Sequence, residues 1–335
     1  MTASSDGTRR EPRAVLEAAA RAALRAPSVF NTQPWTWHIA GATMELRADP
    51  ERHLRVTDPE RRLLLLSCGG ALHHARVALA ADGWTVTVDR LPDADRPDLL
   101  ARLHLDGPVP PEPGSRILAD AISRRRTDRR AFGDRPVSDE TLAGLRRAVE
   151  QQGAYLHVVP HDQVPMLGVS SEQAADIESA DPAYRAELTH WTNRPAWTGD
   201  GVPPATAVEP TVRRVPVRDF APHGDGVLPV GPDHDKGAAY VILFGLGDQP
   251  LDLLRGGEAL SALLLSATAE GLSTAPLTET VEVAWPRYLV RELLSDVGEP
   301  YVVVRVGYAE FGETLPMTSR RAAIDVITFT DNPQP

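Results

Sequence analysis

Two long, mostly apolar helical stretches constrain what this chain can fold into. "RLLLLSCGGALHHARVALAADG" (62–83) and "LDLLRGGEALSALLLSATAEG" (251–271) each end on a glycine, the residue that most readily takes the left-handed turn after a helix. At a constant offset of 188, Gly69, Ala71, Leu72, Ala81 and Gly83 match Gly257, Ala259, Leu260, Ala269 and Gly271. Five identities between alanine-rich helices also arise by chance. With the repeated order helix, strand, helix, strand, they raise an internal duplication as one reading. A hydrophobic share of 42% is enough to build a sizeable core around both helices.

The remaining elements follow from periodicity and breakers. "RAVLEAAARAALRA" (13–26) predicts a helix of strong formers stopped by Pro27. "PWTWHIAGATMELRAD" alternates Trp35, Trp37 and Ile39, turns near Gly41 and resumes with Met44, Leu46 and Ala48, which predicts a hairpin; "WTVTVDR" predicts a strand. "DGPVPPEPGS" (106–115) carries four prolines and two glycines and reads as a linker. Beyond it come a short helix (115–126), a helix capped by Ser138, the strand "AYLHVV", helical sequence over about 163–190 and a strand near 238–246. After the second long helix follow the loop "LSTAPLTET", a helix near 286–294 and a strand over 301–308. The expected division is a tail (1–12), a first half (13–105), a linker (106–114), a second half (115–310) and a C-terminal extension (311–335). Residues 191–232 hold eight prolines with Trp191, Trp197 and Phe220, a pattern that fits either a lid packed on the protein or a disordered insertion.

Charge and motif content exclude several functions. A formal net charge of −11 disfavours nucleic acid or an anionic membrane as main partner, since both need a positive face. No stretch of 18 apolar residues and no leader-like segment occurs, and the single cysteine, Cys68, forms no internal disulfide; the expected compartment is the cytoplasm. Gly245-x-Gly247 begins a dinucleotide fingerprint, but Pro250 stands where its third glycine belongs. There is no G-x-x-x-x-G-K-[ST], C-x-x-C, H-E-x-x-H or G-x-S-x-G. Neighbouring His73 and His74 point about 100° apart on a helix and make a poor chelate, so no metal is expected.

Two polar segments remain. In "RRRTDRRAF" (124–132), persisting helical geometry would bring Arg125, Arg126 and Arg129 together with the Thr127 hydroxyl, a set suited to a phosphate monoester. The plainer alternative is arginines that neutralise a helix C-terminus and face water. "APSVFNTQPWTWHI" (26–39) places Ser28, Asn31 and Gln33 between two prolines, more hydrogen-bonding side chains than a connector needs. Without an acid, base or nucleophile motif, a cofactor that carries its own chemistry accounts for this pattern.

"APSVFNTQPW" resembles the nitroreductase-family segment P-S-x-x-N-x-Q-P-W, and "RRTDRRAF" resembles that family's R-R-S-x-R-x-F. Their order, with "GGALHHARVALAADGW" between them, looks like the Acg branch of nitroreductase-like flavoproteins, over roughly residues 13–330. The resemblance implies an α+β fold of two similar halves, with mainly antiparallel sheets flanked by helices. Each half retains one of the two motifs, which implies a fused, monomeric pseudo-dimer with one composite FMN site. Arg125, Arg126, Thr127 and Arg129 would hold the phosphate, with Arg320 as a further ligand or Arg321 if the register slips by one. Ser28, Asn31 and Gln33 would lie at the flavin ring or its rim, and the backbone from Ala275 through Pro276 and Leu277 to Thr278 would address its N5 and O4. The implied activity is oxidoreduction through the flavin, with NAD(P)H as reductant and a nitro, quinone or other small acceptor. The alternative is a flavin-sequestering protein whose lid blocks turnover.

Overall fold

The structure, a computed structural model, describes residues 10–192, 194–208, 213–220, 228–231, 235–310 and 315–330. Most of the expected tail, three prolines of the lid (Pro210, Pro222 and Pro232) and residues 311–314 and 331–335 of the extension lie outside the described residues.

Helix α1 (Pro12–Ala23) opens on a proline, whose missing N–H would find no partner in a first turn anyway, and buries Leu16, Ala19, Ala20 and Ala23. Strands β1 (Trp35–Ala40) and β2 (Thr43–Ala48) form the expected antiparallel hairpin, with Trp35, Trp37 and Ile39 on its buried face. Helix α2 (Arg62–Ala81) is capped from upstream: the Asp58 carboxylate accepts from the backbone N–H of Leu63 (3.1 Å) and Leu64 (2.8 Å). Strands β3 (Trp84–Arg90) and β4 (Leu99–Pro108) complete the run, in the order β3-β4-β2-β1.

Strand β4 had no counterpart in the sequence reading. It continues through Pro108, and helix α3 (Pro113–Arg124) starts on Pro113, so the expected linker shrinks to residues 109–112. Pro108 stands at the end of a strand and Pro113 in the first turn of a helix, where a lost N–H donor costs little, with Pro110 and Pro111 in the connection between them.

Helix α4 (Asp139–Glu150) is capped by Ser138, whose Oγ accepts from the Thr141 N–H at 3.2 Å. Strand β5 (Tyr155–Val158), helices α5 (Val164–Ala180) and α6 (Pro182–Thr192), strand β6 (Ala239–Gly245) and helix α7 (Pro250–Ala269) follow. Strand β7 (Ser273–Leu277) takes most of the segment expected as the loop "LSTAPLTET", because its backbone pairs with strand β8 (Glu299–Gly307) beyond α8 (Glu279–Glu282) and α9 (Ala284–Leu293). This second sheet is wholly antiparallel, in the order β5-β6-β8-β7. After α10 (Ala323–Val326), strand β9 (Ile327–Thr330) returns to the first sheet and lies parallel to β1, Trp37 opposite Ile327. The C-terminal segment is thus an integral part of the first half's sheet.

Helices α2 and α7 cross where they are thinnest. A Cβ at Gly69 would collide with the Leu254 carbonyl oxygen, and one at Gly257 with that of Leu66. His73 Nδ1 lies 2.8 Å from Ser261 Oγ, again a pair 188 residues apart. Positions at the same offset therefore face each other, as they do across a two-fold axis. Helix α2 is long and apolar enough to cross a membrane, yet 83% of its apolar window is buried against neighbours in the fold. One hydrophobic core runs from Trp35, Trp37 and Leu46 through α2 and α7 to Val302 and Val304. The architecture is α+β: two mainly antiparallel sheets, flanked by helices, joined through one helix pair.

Candidate functional site

The loop after α1 is held in a costly conformation. Phe30 (φ 51°), Asn31 (φ 54°) and Gln33 (φ 50°) all occupy the left-handed region without being glycine. Such residues cost about 1–3 kcal/mol each and persist only where their surroundings over-determine them. Those surroundings are visible. The Gln33 N–H donates to Ser28 Oγ (2.9 Å), Asn31 Nδ2 donates to the carbonyls of Gly201 (3.0 Å) and Ser319 (3.2 Å), and Gln33 Nε2 donates to that of Gly199 (2.8 Å). In return, Arg320 Nη1 donates to Asn31 Oδ1 (3.1 Å) and the Arg321 N–H to Gln33 Oε1 (3.0 Å). The two amides tie the Pro-rich segment and the C-terminal segment to one loop.

The arginine segment is extended, contrary to the helical geometry considered above. Helix α3 ends at Arg124, and Arg125 has φ −53° and ψ 129°. Thr127 forms a parallel bridge to Thr274, and the Asp128 N–H donates to the Thr274 carbonyl at 2.9 Å. Pairing with the start of β7 has displaced the helix. The guanidinium groups nevertheless converge. Arg125 is buried, and its Nε and Nη1, like Arg126 Nε and Arg320 Nε, meet no hydrogen-bond partner among the described residues. Burial lowers the Arg125 pKa to about 10, with Arg126 adding repulsion, and burial with Arg125, Arg25 and Arg126 brings Arg320 down to about 9. Buried donors left unmatched cost about 1–3 kcal/mol each, and an anion is the partner whose chemistry suits this group.

Three adjoining chambers make up the cleft. The largest encloses about 630 Å³ and is mainly apolar, with Leu63, Leu66 and Leu260 from the central helices, Val302 from β8, and Phe30 and Phe220. Pro276 and Thr278 also reach it, whereas Ala275 and Leu277, on the alternate face of β7, are buried in the protein. A middle chamber of about 430 Å³ shares Ser28, Phe30, Thr127 and Arg129 with the first and adds Asn31, Arg125 and Arg320. An outer chamber of about 300 Å³ is lined by Arg25, Arg125, Arg126 and Arg320 with Ile122, Met317 and Thr318.

Of the twelve residues singled out from sequence, Ser28, Asn31, Arg125, Arg126, Thr127, Arg129, Pro276, Thr278 and Arg320 line these chambers. Gln33 lines none of them: it is fully buried and engaged with Gly199 and Arg321. Arg321 donates to the carbonyls of Gln33 and Trp35 and pairs with Asp49, away from the cluster. Arg129 also reaches the Pro-rich segment, donating to the Thr206 carbonyl (3.1 Å) and stacking 4.3 Å from the Phe220 ring.

The described part of that segment is packed on the protein. Asp200 is held by Arg52, Arg194 and Thr198. Arg218 pairs with Glu178 and Glu282 and stacks 5.0 Å over the Phe30 ring. Sequence reasoning overlooked Arg25, Phe30, Arg52, Asp200 and Arg218. Arg25 sits two residues before Pro27 of the P-S motif and Phe30 inside it, so proximity could have found both; the others carry no local signal.

No family model matches the chain. Among curated relatives, the provisionally named NAD(P)H nitroreductase Rv3131 of Mycobacterium tuberculosis (strain ATCC 25618 / H37Rv) is 39% identical, the alignment covering 92% of this chain and 90% of the relative. The provisionally named NAD(P)H nitroreductase acg of the same strain is 37% identical, with 93% and 95% covered. The chain belongs to the nitroreductase-like family of these proteins. A solved structure, an FMN- and NADPH-dependent nitroreductase NfnB mutant derived from a Sphigopyxis strain, matches 63% of this chain and 97% of its own with a TM-score of 0.42 and 15% identity.

Proposed function

We propose that the cleft binds FMN and that the protein is an FMN-dependent oxidoreductase, taking reducing equivalents from NAD(P)H or another donor and passing them to a nitro, quinone or other small acceptor. The observation that carries this reading is the set of buried, partnerless guanidinium nitrogens of Arg125, Arg126 and Arg320 beside an apolar cleft. A phosphate monoester offers the anionic oxygens those donors lack, and an aromatic ring system suits the leucine-lined chamber.

Arg125 and Arg320 would hold the phosphate by charge-assisted hydrogen bonds, with Arg126 at its outer side and the Thr127 hydroxyl within the same chamber system. Leu63, Leu66, Leu260 and Val302 would pack the ring, and Pro276 and Thr278 would fix its position along β7. Phe30 and Phe220 would exclude water. FMN, when bound, supplies the hydride-accepting and hydride-donating centre, so no side chain is assigned as general acid. We read the 188-residue offset as the trace of a duplication, each half supplying part of one site, so that a single chain suffices.

The test is spectroscopic. Purified protein should be yellow, or should quench added FMN with one-to-one stoichiometry, and anaerobic NADH or NADPH should bleach it within seconds. Protein that is colourless and indifferent to added FMN sinks the flavin reading. A second reading, flavin sequestration, is favoured by the fastening of the Pro-rich segment through Gln33, Asp200 and Arg218. Bound flavin that resists both nicotinamides, yet yields to dithionite, would select it.

A further inference from the structure

The outer chamber carries more positive charge than one phosphate balances. Arg25, Arg125, Arg126 and Arg320 all line it, and among the described residues none of the four forms an ion pair with a carboxylate. A phosphate monoester brings about −1.5 to −2 at neutral pH, against four guanidinium groups. Repulsion within the group is evident: after burial, Arg25 is what lowers the Arg126 pKa.

The four are graded in depth. Arg125 is buried and Arg320 half-buried, and both also border the middle chamber, which opens toward the apolar cleft. Arg126 is partly open and Arg25 is exposed. Met317, 63% exposed, stands at the same mouth beside Thr318. An anion seated on the inner pair therefore leaves two guanidinium groups facing outward, next to an exposed apolar side chain.

We propose that this chamber is a pyrophosphate subsite, so that the cleft accepts flavin adenine dinucleotide as well as FMN. The proposal rests on the flavin reading above and extends it outward. The flavin-proximal phosphate meets Arg125 and Arg320, the second phosphate meets Arg25 and Arg126, and the adenosine leaves through the mouth past Met317. Because Arg25 is the exposed member, replacing it removes charge without opening a cavity in the core.

The experiment is a set of titrations of flavin-free protein at low ionic strength, with flavin fluorescence as readout. FAD should bind within about tenfold of FMN, and Arg25→Ala should weaken FAD at least about tenfold more than FMN, as expected for losing a charge-assisted bond to one phosphate. FAD binding more than about a hundredfold weaker than FMN, or equal losses for both flavins in a variant that keeps the wild-type circular dichroism and melting temperature, overturns the proposal. Inorganic pyrophosphate and phosphate, compared by thermal shift, separate this proposal from the flavin reading. If neither flavin binds, pyrophosphate stabilising at about tenfold lower concentration than phosphate supports the subsite, and equal midpoints reject it. An unexpected variant fold is controlled by Arg25→Lys, which keeps the charge and should retain most of the FAD affinity.

Discussion

Gln33 Nε2 donates to the carbonyl oxygen of Gly199 at 2.8 Å, joining residues 166 positions apart in the chain. This bond, rather than contact with a ligand, is where the most buried amide of the motif is used.

Gln33→Ala should therefore loosen the Pro-rich segment before it affects the cofactor. The variant loses its bonds to Gly199 and Arg321 and leaves their buried backbone groups unmatched, a cost of about 1–3 kcal/mol each. Faster hydrogen exchange and proteolytic cleavage around 194–203, with flavin affinity falling less than for Arg125→Ala, is the expected outcome. A segment as protected as in the wild type would count against the tether.

Replacing Arg125 separates stability from binding. Its guanidinium is buried with two partnerless nitrogens, so Arg125→Met should leave the flavin-free protein as stable as wild type or more so, since an unmatched buried charge is replaced by an apolar chain. The same change should weaken FMN by about tenfold or more. Calorimetry of the flavin-free protein and a flavin titration check the two signs independently.

At the crossing of α2 and α7, Gly69→Ala puts a methyl group against the Leu254 carbonyl, which is backbone and cannot swing aside. Forced separation of packed helices should cost about 1–3 kcal/mol or more, seen as a lower denaturation midpoint. Gly271→Ala is the useful contrast. Nothing lies near its Cβ, but its φ of +76° makes the penalty conformational, about 1 kcal/mol.

Stability should also depend on Glu178. Burial pushes its pKa up to about 8, outweighing the attraction of Arg218, while Glu282 and Glu279 add repulsion. A carboxyl whose folded pKa lies above its unfolded value binds more protons when folded, so its contribution is present at acid pH and is lost as pH rises from about 4.5 to about 8. Glu178→Gln mimics the protonated form. The melting temperature of the variant, relative to wild type, should rise across that window, and a flat or falling difference would refute the assignment.

Much of the fold was legible because it was local. The hairpin at Gly41 alternates cleanly, Ser138 caps α4, and the two long helices are too apolar to be anything but core. The β7 strand was not, since "STAPL" carries a proline and its pairing partner β8 lies some thirty residues downstream. Arg125 failed the helical expectation for the same reason: the Thr127 to Thr274 bridge joins residues 147 positions apart, and nothing in "RRRTDRRAF" announces it. The candidate site was visible as residue types, whereas the division of labour within it was not. Asn31 and Gln33 look alike in sequence, but only Asn31 lines a chamber, because the left-handed turns at Phe30, Asn31 and Gln33 send the two amides in different directions.

Strand β9 lies beside β1, and the stretch just before it, Met317 to Arg320, walls the arginine chamber. Until β9 has been made, β1 is an open edge of the first sheet. The arginine chamber gains its Met317-to-Arg320 wall only just before that strand. A chain cut before Met317 would thus leave β1 unpaired on one side and the arginine chamber without one of its walls.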